Sequence, residues 1–178
     1  MIVNPKSEPR ATWASLTDAQ LLAQCEVDTY RASGPGGQKR NKTSSAVRLR
    51  HPPSGLIVIG EESRSQHENK AKALRRLRQA LYLELRDAAS TVELSASPEL
   101  AAAKDGDGRL TLRRKDPRFW PAVGIALDAL AVFDGRVSEA ASALGVTTAN
   151  LVDFLEQDPK VWQRANVLRA KFGQKPLR

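Results

Sequence analysis

The chain has 178 residues, enough for one domain of ordinary size or for two small ones. Apolar residues make up 41% of it, so it can bury a core, and 28 Lys and Arg against 20 Asp and Glu give a formal net charge of +8. One Cys and two His exclude a disulfide framework and an ordinary protein-ligated zinc site. No apolar run approaches the roughly 20 residues that a membrane span needs. The positive charge favours a polyanionic partner, either nucleic acid or an anionic membrane surface.

Two stretches of the chain contain no carboxylate, one from Thr29 to Gly60 and one from Pro159 to Arg178. A solvated surface normally mixes both signs of charge, so acid-free stretches of this length favour contact with phosphate groups. Their bases are Arg31, Lys39, Arg40, Lys42, Arg48 and Arg50 in the first stretch, and Lys160, Arg164, Arg169, Lys171, Lys175 and Arg178 in the second.

In chain order, the first predicted elements are a flexible N-terminal arm over 1–14 and a short helical turn after it. Cys25–Arg31 alternates in side-chain character and predicts a strand, which ends at the glycine-rich Ser33–Gly37. Two more β-rich runs, Ala46–Arg50 and Leu56–Ile59, are joined through prolines and a glycine. They predict a hairpin with a longer loop.

A long helix follows the three predicted strands. Ser65 with Glu68 three residues later is a capping-box pattern, and leucines recur beyond it at helical spacing. The pattern predicts a helix over 66–89 that packs on the strands and shows a basic face, so that residues 15–92 form a small α+β domain. The bases of that face are Lys70, Lys72, Arg75, Arg76 and Arg86.

Composition changes after this domain, and small and charged residues predict a linker over 93–118. Residues 119–178 predict a small all-α domain that resembles a helix-turn-helix and has a basic C-terminal end. Its helices are expected at Pro121–Phe133, Val137–Gly145, Thr147–Gln157 and about Pro159–Lys171. Its expected core residues are Trp120, Phe133, Leu144, Phe154 and Trp162.

Nucleophilic and nucleotide-binding chemistry find little support in the sequence. Cys25 lies in a predicted strand and is interpreted as a small buried hydrophobe, while His51 and His67 are expected to be solvated or to cap. The glycine-rich segment Gly34–Lys42 is not a nucleotide-phosphate loop, because that loop needs Gly-Lys-Ser/Thr and here Gly37 is followed by Gln and Lys.

The same segment does carry a Gly36-Gly37-Gln38 tripeptide inside the first acid-free stretch. Glycines permit positive φ and let the backbone approach a partner closely. The Gln38 amide is neutral and can both donate and accept hydrogen bonds. A slim, uncharged tip flanked by bases suits insertion into a narrow cavity walled by RNA.

Four blocks of sequence around this tripeptide agree with one family. They are Arg31-Ala-Ser-Gly-Pro-Gly-Gly-Gln38, Asn41-Lys-Thr-Ser-Ser-Ala-Val47, His51-Pro-Pro-Ser-Gly55 and Arg64-Ser-Gln-His-Glu-Asn-Lys-Ala-Lys-Ala-Leu74. Together they resemble the catalytic domain of class I peptide chain release factors, over about residues 24–86. The blocks occur in order and at the right spacing, which makes the resemblance specific.

The resemblance implies hydrolysis of the ester that joins a nascent peptide to transfer RNA, with Gly36, Gly37 and Gln38 as the catalytic residues. The Gln38 backbone N–H would support the developing oxyanion and its side chain would shape the site of the attacking water. Ribosomal RNA and a tRNA hydroxyl would supply the other groups, so no cofactor and no metal are expected. The candidate RNA contacts are Arg31, Lys39, Arg40, Asn41, Lys42, Arg48, Arg64, Lys70, Lys72, Arg75, Arg76, Lys171, Lys175 and Arg178.

Two departures from the family pattern refine this expectation. Release factors that read stop codons usually continue with His-Val-Asn after Gly-Gly-Gln, whereas this chain has Lys39-Arg40-Asn41. Nothing before the first strand resembles a stop-codon recognition domain. The chain is therefore similar to the codon-independent ribosome-rescue members, and we expect a cytoplasmic monomer that acts on peptidyl-tRNA at the peptidyl transferase centre, with no membrane partner.

Two other functions stay open from the sequence. A non-catalytic ribosome- or RNA-binding factor could retain the same fold, although the intact Gly-Gly-Gln favours the enzyme. A DNA-binding regulator would use the second helix of the helix-turn-helix pattern. That helix carries Asp153, Glu156 and Asp158 and no base, which disfavours entry into a major groove.

Overall fold

The computed structural model describes residues 9–31, 45–87 and 91–178. These residues form two compact units, the first ending at Leu81 and the second running from Tyr82 to Arg178. The first holds a three-stranded antiparallel sheet and the second is helical, which confirms the expected α+β domain followed by an all-α region. None of the helices in these ranges combines the length and the apolar character that crossing a membrane requires.

The sheet of the first unit has the strand order β1-β2-β3, with β1 at Glu26–Tyr30, β2 at Ala46–His51 and β3 at Leu56–Gly60. All three strands were predicted, and their bounds differ from the expected ones by one residue at each changed end. The last residues to pair across β1 and β2 are Tyr30 and Ala46. Arg31, which follows Tyr30, and Ser45, which precedes Ala46, therefore flank this last pair at the same end of the sheet.

Helix α3, Gln66–Glu84, lies in the first unit up to Leu81, and it ends five residues earlier than expected. Its leucines at 77 and 81 are fully buried, as are Val47 and Leu49 of β2. The backbones of helix and sheet approach most closely at Gly60, where an added Cβ would lie 2.2 Å from the carbonyl oxygen of Asn69. Only a residue without a side chain fits there, so the first turn of α3 is seated directly on the end of β3.

The capping pattern at the start of α3 is half realised. The Ser65 hydroxyl accepts a hydrogen bond from the Glu68 N–H at 3.3 Å, as a capping box requires. The Glu68 carboxylate does not return to the Ser65 backbone but accepts from the Ser63 hydroxyl. Ser63 in turn accepts from the Ser65 N–H at 3.1 Å, so one hydroxyl completes the cap.

The N-terminal segment differs from the predicted arm over 1–14. Residues Arg10–Ala14 form helix α1, and Asp18–Ala23 form helix α2 behind a complete capping box of Thr17 and Gln20. Trp13 is 2% exposed. The single indole of Trp13 supplies enough apolar area to hold so short a helix in place. The polar residues beside Trp13 hide this helix in the sequence.

Arg78 of α3 holds this segment in place. Its guanidinium donates to the carbonyl oxygens of Leu16 at 2.6 Å and Ala14 at 3.3 Å, and to the Asp18 carboxylate at 2.8 Å. A planar guanidinium with five donors suits three acceptors in different directions.

His51 also differs from the expected solvated or capping role, because its side chain is fully buried at the end of β2. Nε2 lies 3.1 Å from the Gln24 side-chain oxygen and Nδ1 lies 2.7 Å from the Ser54 hydroxyl. The ring stands edge-on to Trp13, with centroids 5.6 Å apart and planes at 83°. Burial lowers the pKa of His51, so the neutral ring donates from Nε2 and accepts the Ser54 hydroxyl at Nδ1.

The second unit contains six helices among the described residues. They are α4 Thr91–Ser95, α5 Pro98–Ala103, α6 Phe119–Val132, α7 Val137–Ala143, α8 Thr148–Glu156 and α9 Pro159–Lys171. The expected core is confirmed: Leu144 and Phe154 are buried, and Trp120, Phe133 and Trp162 are partly buried and pack against the same cluster.

The segment expected to be a linker, 93–118, is part of this helical unit. Leu94, Leu100, Leu110 and Leu112 are all buried in its core. Buried Asn150 fixes the segment further, since its side-chain oxygen accepts from the Leu110 N–H at 2.8 Å and its amide donates to the Leu110 carbonyl at 3.0 Å. These four leucines share no single helical or strand period, so the sequence does not mark the segment as one packed element.

Arg86 was expected on the basic face of the long helix, and the structure places it elsewhere. It lies beyond the end of α3 and forms an ion pair with Asp128 of α6 inside the second unit. The apolar stripe and the basic residues overlap in sequence here, so the helical period alone could not separate a surface base from a buried one.

Candidate functional site

The predicted catalytic residues belong to the connection between β1 and β2. Gly36, Gly37 and Gln38 lie in 32–44, outside the described residues, and so do Lys39, Arg40, Asn41 and Lys42. The structure describes the two residues that bound this connection, Arg31 and Ser45. Their surroundings define what holds the ends of the Gly-Gly-Gln segment.

The Ser45 end is held by Asn69, in the first turn of α3. Its side-chain amide donates to the Ser45 carbonyl at 2.7 Å and to the Ser63 carbonyl at 2.7 Å. The side-chain oxygen accepts from the Ser63 N–H at 2.8 Å. Asn69 is fully buried, so each polar atom of its side chain has a protein partner where water has no access.

Two acidic residues follow β3 near this end of the sheet. Glu61 accepts a hydrogen bond from the Tyr30 hydroxyl at 3.4 Å. Burial and the Glu61 charge both raise the pKa of Tyr30, so the phenol stays protonated. Glu62 is paired with Arg76, whose hydrogen bond lowers the pKa of that carboxyl.

Arg76 was expected to contact RNA, but its side chain is already paired with Glu62. Its guanidinium donates to the Ile59 carbonyl as well as to Glu62, so it links α3 to the end of β3. Because its guanidinium already donates to two acceptors, Arg76 supports the fold. It would have to break these hydrogen bonds to contact a phosphate.

Five other predicted contacts of the first unit have no hydrogen-bond or ion-pair partner among the described residues. Arg31, Arg64 and Arg75 are exposed, and Lys70 and Lys72 are half-buried. Lys72 and Arg75 are three residues apart on α3 and are therefore neighbours on the helix surface. We refer to these residues as the five unpaired bases: Arg31, Arg64, Lys70, Lys72 and Arg75.

Arg48 belongs to a different surface. It pairs with Asp28 across β1 and β2 at 2.9 Å, and Arg50 pairs with Glu26 at 3.4 Å in the next ladder position on the same face. The positive charge that the sequence assigns to β2 is therefore largely balanced within the sheet. Arg48 is a weaker candidate for phosphate contact than the five unpaired bases.

The C-terminal bases divide in the same way. Lys171, Lys175 and Arg178 are exposed, and their side chains have no partner in the described part of the chain. Arg169 donates to the Lys175 carbonyl at 2.6 Å and also to the Gly135 carbonyl. Arg164 donates to the Leu83 carbonyl at 2.9 Å, so two of the six bases in this stretch hold the second unit together.

The described residues form neither a metal site nor an activated thiol. Within 9–31, 45–87 and 91–178, no three His, Cys, Asp or Glu side chains are close enough to hold a metal ion. Cys25 precedes β1 and is half-buried rather than fully buried, and its thiol donates to the Leu21 carbonyl at 3.2 Å. Burial raises the pKa of the thiol, which disfavours the thiolate that a nucleophile needs.

Asn69 is the residue that sequence reasoning missed. It stands inside one of the four family-like blocks, but nothing in the block marks it as different from its polar neighbours. One signal was available: a short amide side chain in the first helical turn competes for backbone hydrogen bonds, so it suits a position that binds neighbouring backbone.

Comparison with known proteins identifies the family. The RF-1 domain model matches residues 21–116. Peptide chain release factor 1 of Novosphingobium aromaticivorans is 44% identical over 103 residues, which is 58% of this chain and 28% of that protein. Release factor 2 of Acidithiobacillus ferrooxidans is 58% identical over 60 residues, which is 34% of this chain and 16% of that protein.

Release factor 1 of Gluconobacter oxydans is 61% identical over 56 residues, or 32% of this chain and 16% of that protein. The chain thus spans between 16% and 28% of the length of these curated relatives. The family model covers more than half of the chain, from α2 through the sheet and α3 to residue 116. With this domain the chain belongs to the class I peptide chain release factor family.

Proposed function

We propose that this protein hydrolyses the ester of peptidyl-tRNA on the ribosome and releases the nascent peptide without reading a stop codon. The observation that carries the proposal is an intact Gly36-Gly37-Gln38 between β1 and β2 of an RF-1 domain. The relatives are named as peptide chain release factors, which supports peptide release as the reaction.

In the proposed reaction, a water adds to the ester carbonyl carbon and the bond from that carbon to the tRNA oxygen breaks. The freed tRNA hydroxyl takes a proton and the peptide leaves as a carboxylic acid. The Gln38 N–H supports the oxyanion of the tetrahedral intermediate, and the Gln38 side chain shapes the site of the water. Gly36 and Gly37 allow the backbone conformation that this placement needs.

The five unpaired bases of the first unit support RNA as the partner. Arg31 directly precedes the Gly-Gly-Gln segment, and Lys72 with Arg75 extends the positive charge along α3. Because these side chains form no ion pairs within the described residues, they can meet phosphates without breaking one. We assign them to ribosomal RNA at the peptidyl transferase centre, and assign Lys171, Lys175 and Arg178 to RNA at a second place.

Independence from the codon is the finer part of the proposal. Its support is the sequence after Gly-Gly-Gln, where Lys39-Arg40 replaces the His-Val typical of factors that read stop codons. The two added charges suit a factor whose affinity for the ribosome comes from RNA phosphates rather than from a codon.

Peptide release tests both parts. Ribosomes carrying labelled peptidyl-tRNA on truncated, sense-codon and stop-codon messages are mixed with the full chain, and released peptide is measured. We expect similar release on all three messages and a loss of about a hundredfold or more for Gly37→Ala and Gln38→Ala. Release confined to stop codons would contradict the codon-independent part.

The chain offers matched controls for both substitutions. Gly106 has open space around it and no left-handed φ, so Gly106→Ala should release peptide like the wild type. Gln163 is exposed on α9 and provides the same test for the glutamine, as Gln163→Ala. Wild-type protein that releases nothing from any message would overturn the proposed activity.

A further inference from the structure

We propose that Asn69 is a positioning residue for this reaction, because it fixes the point at which the chain enters β2 after Gly-Gly-Gln. The inference rests on the proposed function and adds a role for a side chain that touches neither substrate nor water. It comes from a side chain that joins the end of this connection to the start of α3.

The hydrogen bonds of Asn69 determine which way its amide points. Two carbonyl oxygens, of Ser45 and Ser63, face one side-chain atom at 2.7 Å, and the Ser63 N–H faces the other at 2.8 Å. Only nitrogen on the carbonyl side satisfies all three contacts, since an oxygen there would face two other oxygens. An isosteric aspartate therefore cannot reproduce the arrangement.

The hydrogen bond from Asn69 to Ser45 joins residues much farther apart in sequence than the two bonds to Ser63 do. The two bonds to Ser63 close a local turn at the start of α3 and would serve any helix that begins there. The bond to Ser45 spans 24 residues and ends on the residue that follows the Gly-Gly-Gln connection. A purely local role for Asn69 does not account for this bond.

Asn69 itself is held rigidly. Its backbone N–H donates to the Ser65 carbonyl at 3.0 Å, and its own carbonyl lies against Gly60 so closely that no side chain fits between them. Asn69 therefore fixes the Ser45 carbonyl relative to both α3 and β3. At the other end of the connection, Arg31 directly follows Tyr30, the last residue of β1 that pairs with β2.

Only six residues separate Gln38 from Ser45. A reacting group displaced by about 1 Å can lose about a hundredfold in rate, so a displaced Ser45 would affect turnover far more than binding. The phosphate contacts that we assign to Arg31, Lys72 and Arg75 do not involve Asn69. Loss of the Asn69 bond should therefore lower kcat and leave the concentration for half-maximal release nearly unchanged.

The experiment compares Asn69→Asp with Asn150→Asp in the full chain, alongside wild type. Asn150 is the matched control because it is also buried and also donates to and accepts from a distant backbone, at Leu110 in the second unit. Asn69→Ser and Asn150→Ser form a second pair that introduces no charge, in case the aspartates fold poorly. Far-UV circular dichroism sets a temperature at which each variant is folded.

Peptide release is measured as a function of protein concentration on ribosomes with peptidyl-tRNA. The ¹³C′ resonance of Ser45 is recorded in parallel as a direct report on its hydrogen bond. We expect the Asn69 variants to lower kcat about tenfold or more with half-saturation within about threefold of wild type, and to shift Ser45 ¹³C′. The Asn150 variants should change neither.

A kcat at the wild-type level in an Asn69 variant with a shifted Ser45 resonance would overturn the inference. So would an unshifted resonance, or equal losses of kcat in the Asn69 and Asn150 variants. A wild-type chain that releases no peptide is a different result, since it contradicts the proposed function and removes the positioning role with it.

Discussion

The guanidinium of Arg86 lies against the carboxylate of Asp128, with Nη1 3.0 Å from Oδ1 and the two side chains only 14% and 3% exposed. The same guanidinium donates to the Gly124 carbonyl at 3.2 Å and to the Tyr82 carbonyl. The Asp87 N–H adds a bond to the Asp128 carboxylate at 3.3 Å. A buried charge pair of this kind is tolerated because the remaining polar atoms are also satisfied.

Removing one partner of this pair should be far worse than removing both. Asp128→Ala leaves the Arg86 charge buried, and we expect it to lower the free energy of unfolding by about 3–5 kcal/mol. The double variant Arg86→Met, Asp128→Leu should recover most of that loss, since it leaves no buried charge. Urea denaturation followed by circular dichroism measures both. A double variant as unstable as Asp128→Ala would contradict this view of the pair.

His51 predicts a dependence of stability on pH. Its folded pKa lies below the unperturbed 6.5, so as the pH falls through 6.5 the unfolded chain binds a proton that the folded chain does not. The contribution is complete above pH 6.5 and is lost progressively below it, down to the folded pKa. We expect the free energy of unfolding to fall from pH 7.5 to 5.5 by at most about 1.4 kcal/mol per pH unit.

His51→Gln should flatten this dependence whatever its own stability, and the exposed His67→Gln is the control that should keep it. Denaturant unfolding at four or five pH values between 5.5 and 7.5 measures the slopes. An unchanged slope in His51→Gln would mean that another group sets the pH dependence.

Arg75→Gln should weaken binding to ribosomes and reduce its salt dependence. Arg75 is exposed and unpaired among the described residues, so its charge is available to release a counterion from RNA. The slope of log K against log salt concentration should fall by about 0.7–0.9 for one lost phosphate contact. Arg136→Gln removes the same charge from a side chain paired with Asp134 and Glu139 and should leave the slope unchanged. Equal slopes in wild type and Arg75→Gln would exclude a phosphate contact for Arg75.

The C-terminal bases should separate into binding and structural classes. Replacing Lys171, Lys175 and Arg178 together by Gln should weaken ribosome binding and leave the free energy of unfolding within about 0.5 kcal/mol. Arg169→Gln should instead lower the free energy of unfolding by about 1–3 kcal/mol, because it leaves carbonyl acceptors without their donor. Binding that survives the triple substitution would show that this end of the chain does not meet RNA.

Deletion of 159–178 would not separate these two classes of base. That deletion would remove α9 with its buried Val161 and Ala165, so any loss of binding would be mixed with loss of fold.

The sequence predicted the three strands from alternating side-chain character and from β-rich runs, and it predicted α3 from its leucine spacing. Helix α1 escaped because its burial depends on Trp13, and the residues of 93–118 escaped because their buried leucines share no single period. Short elements that depend on one or two anchors leave no repeating signal.

The sequence predicted which bases lie near the candidate site, but not which of them are already paired with other residues. The bases near Gly-Gly-Gln could be named from the sequence, and Arg31, Arg64 and Arg75 are exposed. The sequence did not show which bases form ion pairs, because Arg48 and Arg76 meet their acids through strand register and tertiary packing. Charge balance along a sequence does not report charge balance in space.

The placement of Trp13 has a practical consequence for work with fragments. A fragment that starts at residue 15, where the sequence places the domain boundary, would lack the indole that stands against His51. It would also lack Ala14, whose carbonyl accepts from Arg78. A buried imidazole would then face water on one side, and misfolding of the shortened chain could be mistaken for an inactive catalytic domain. Any isolated first unit should therefore begin no later than Pro9.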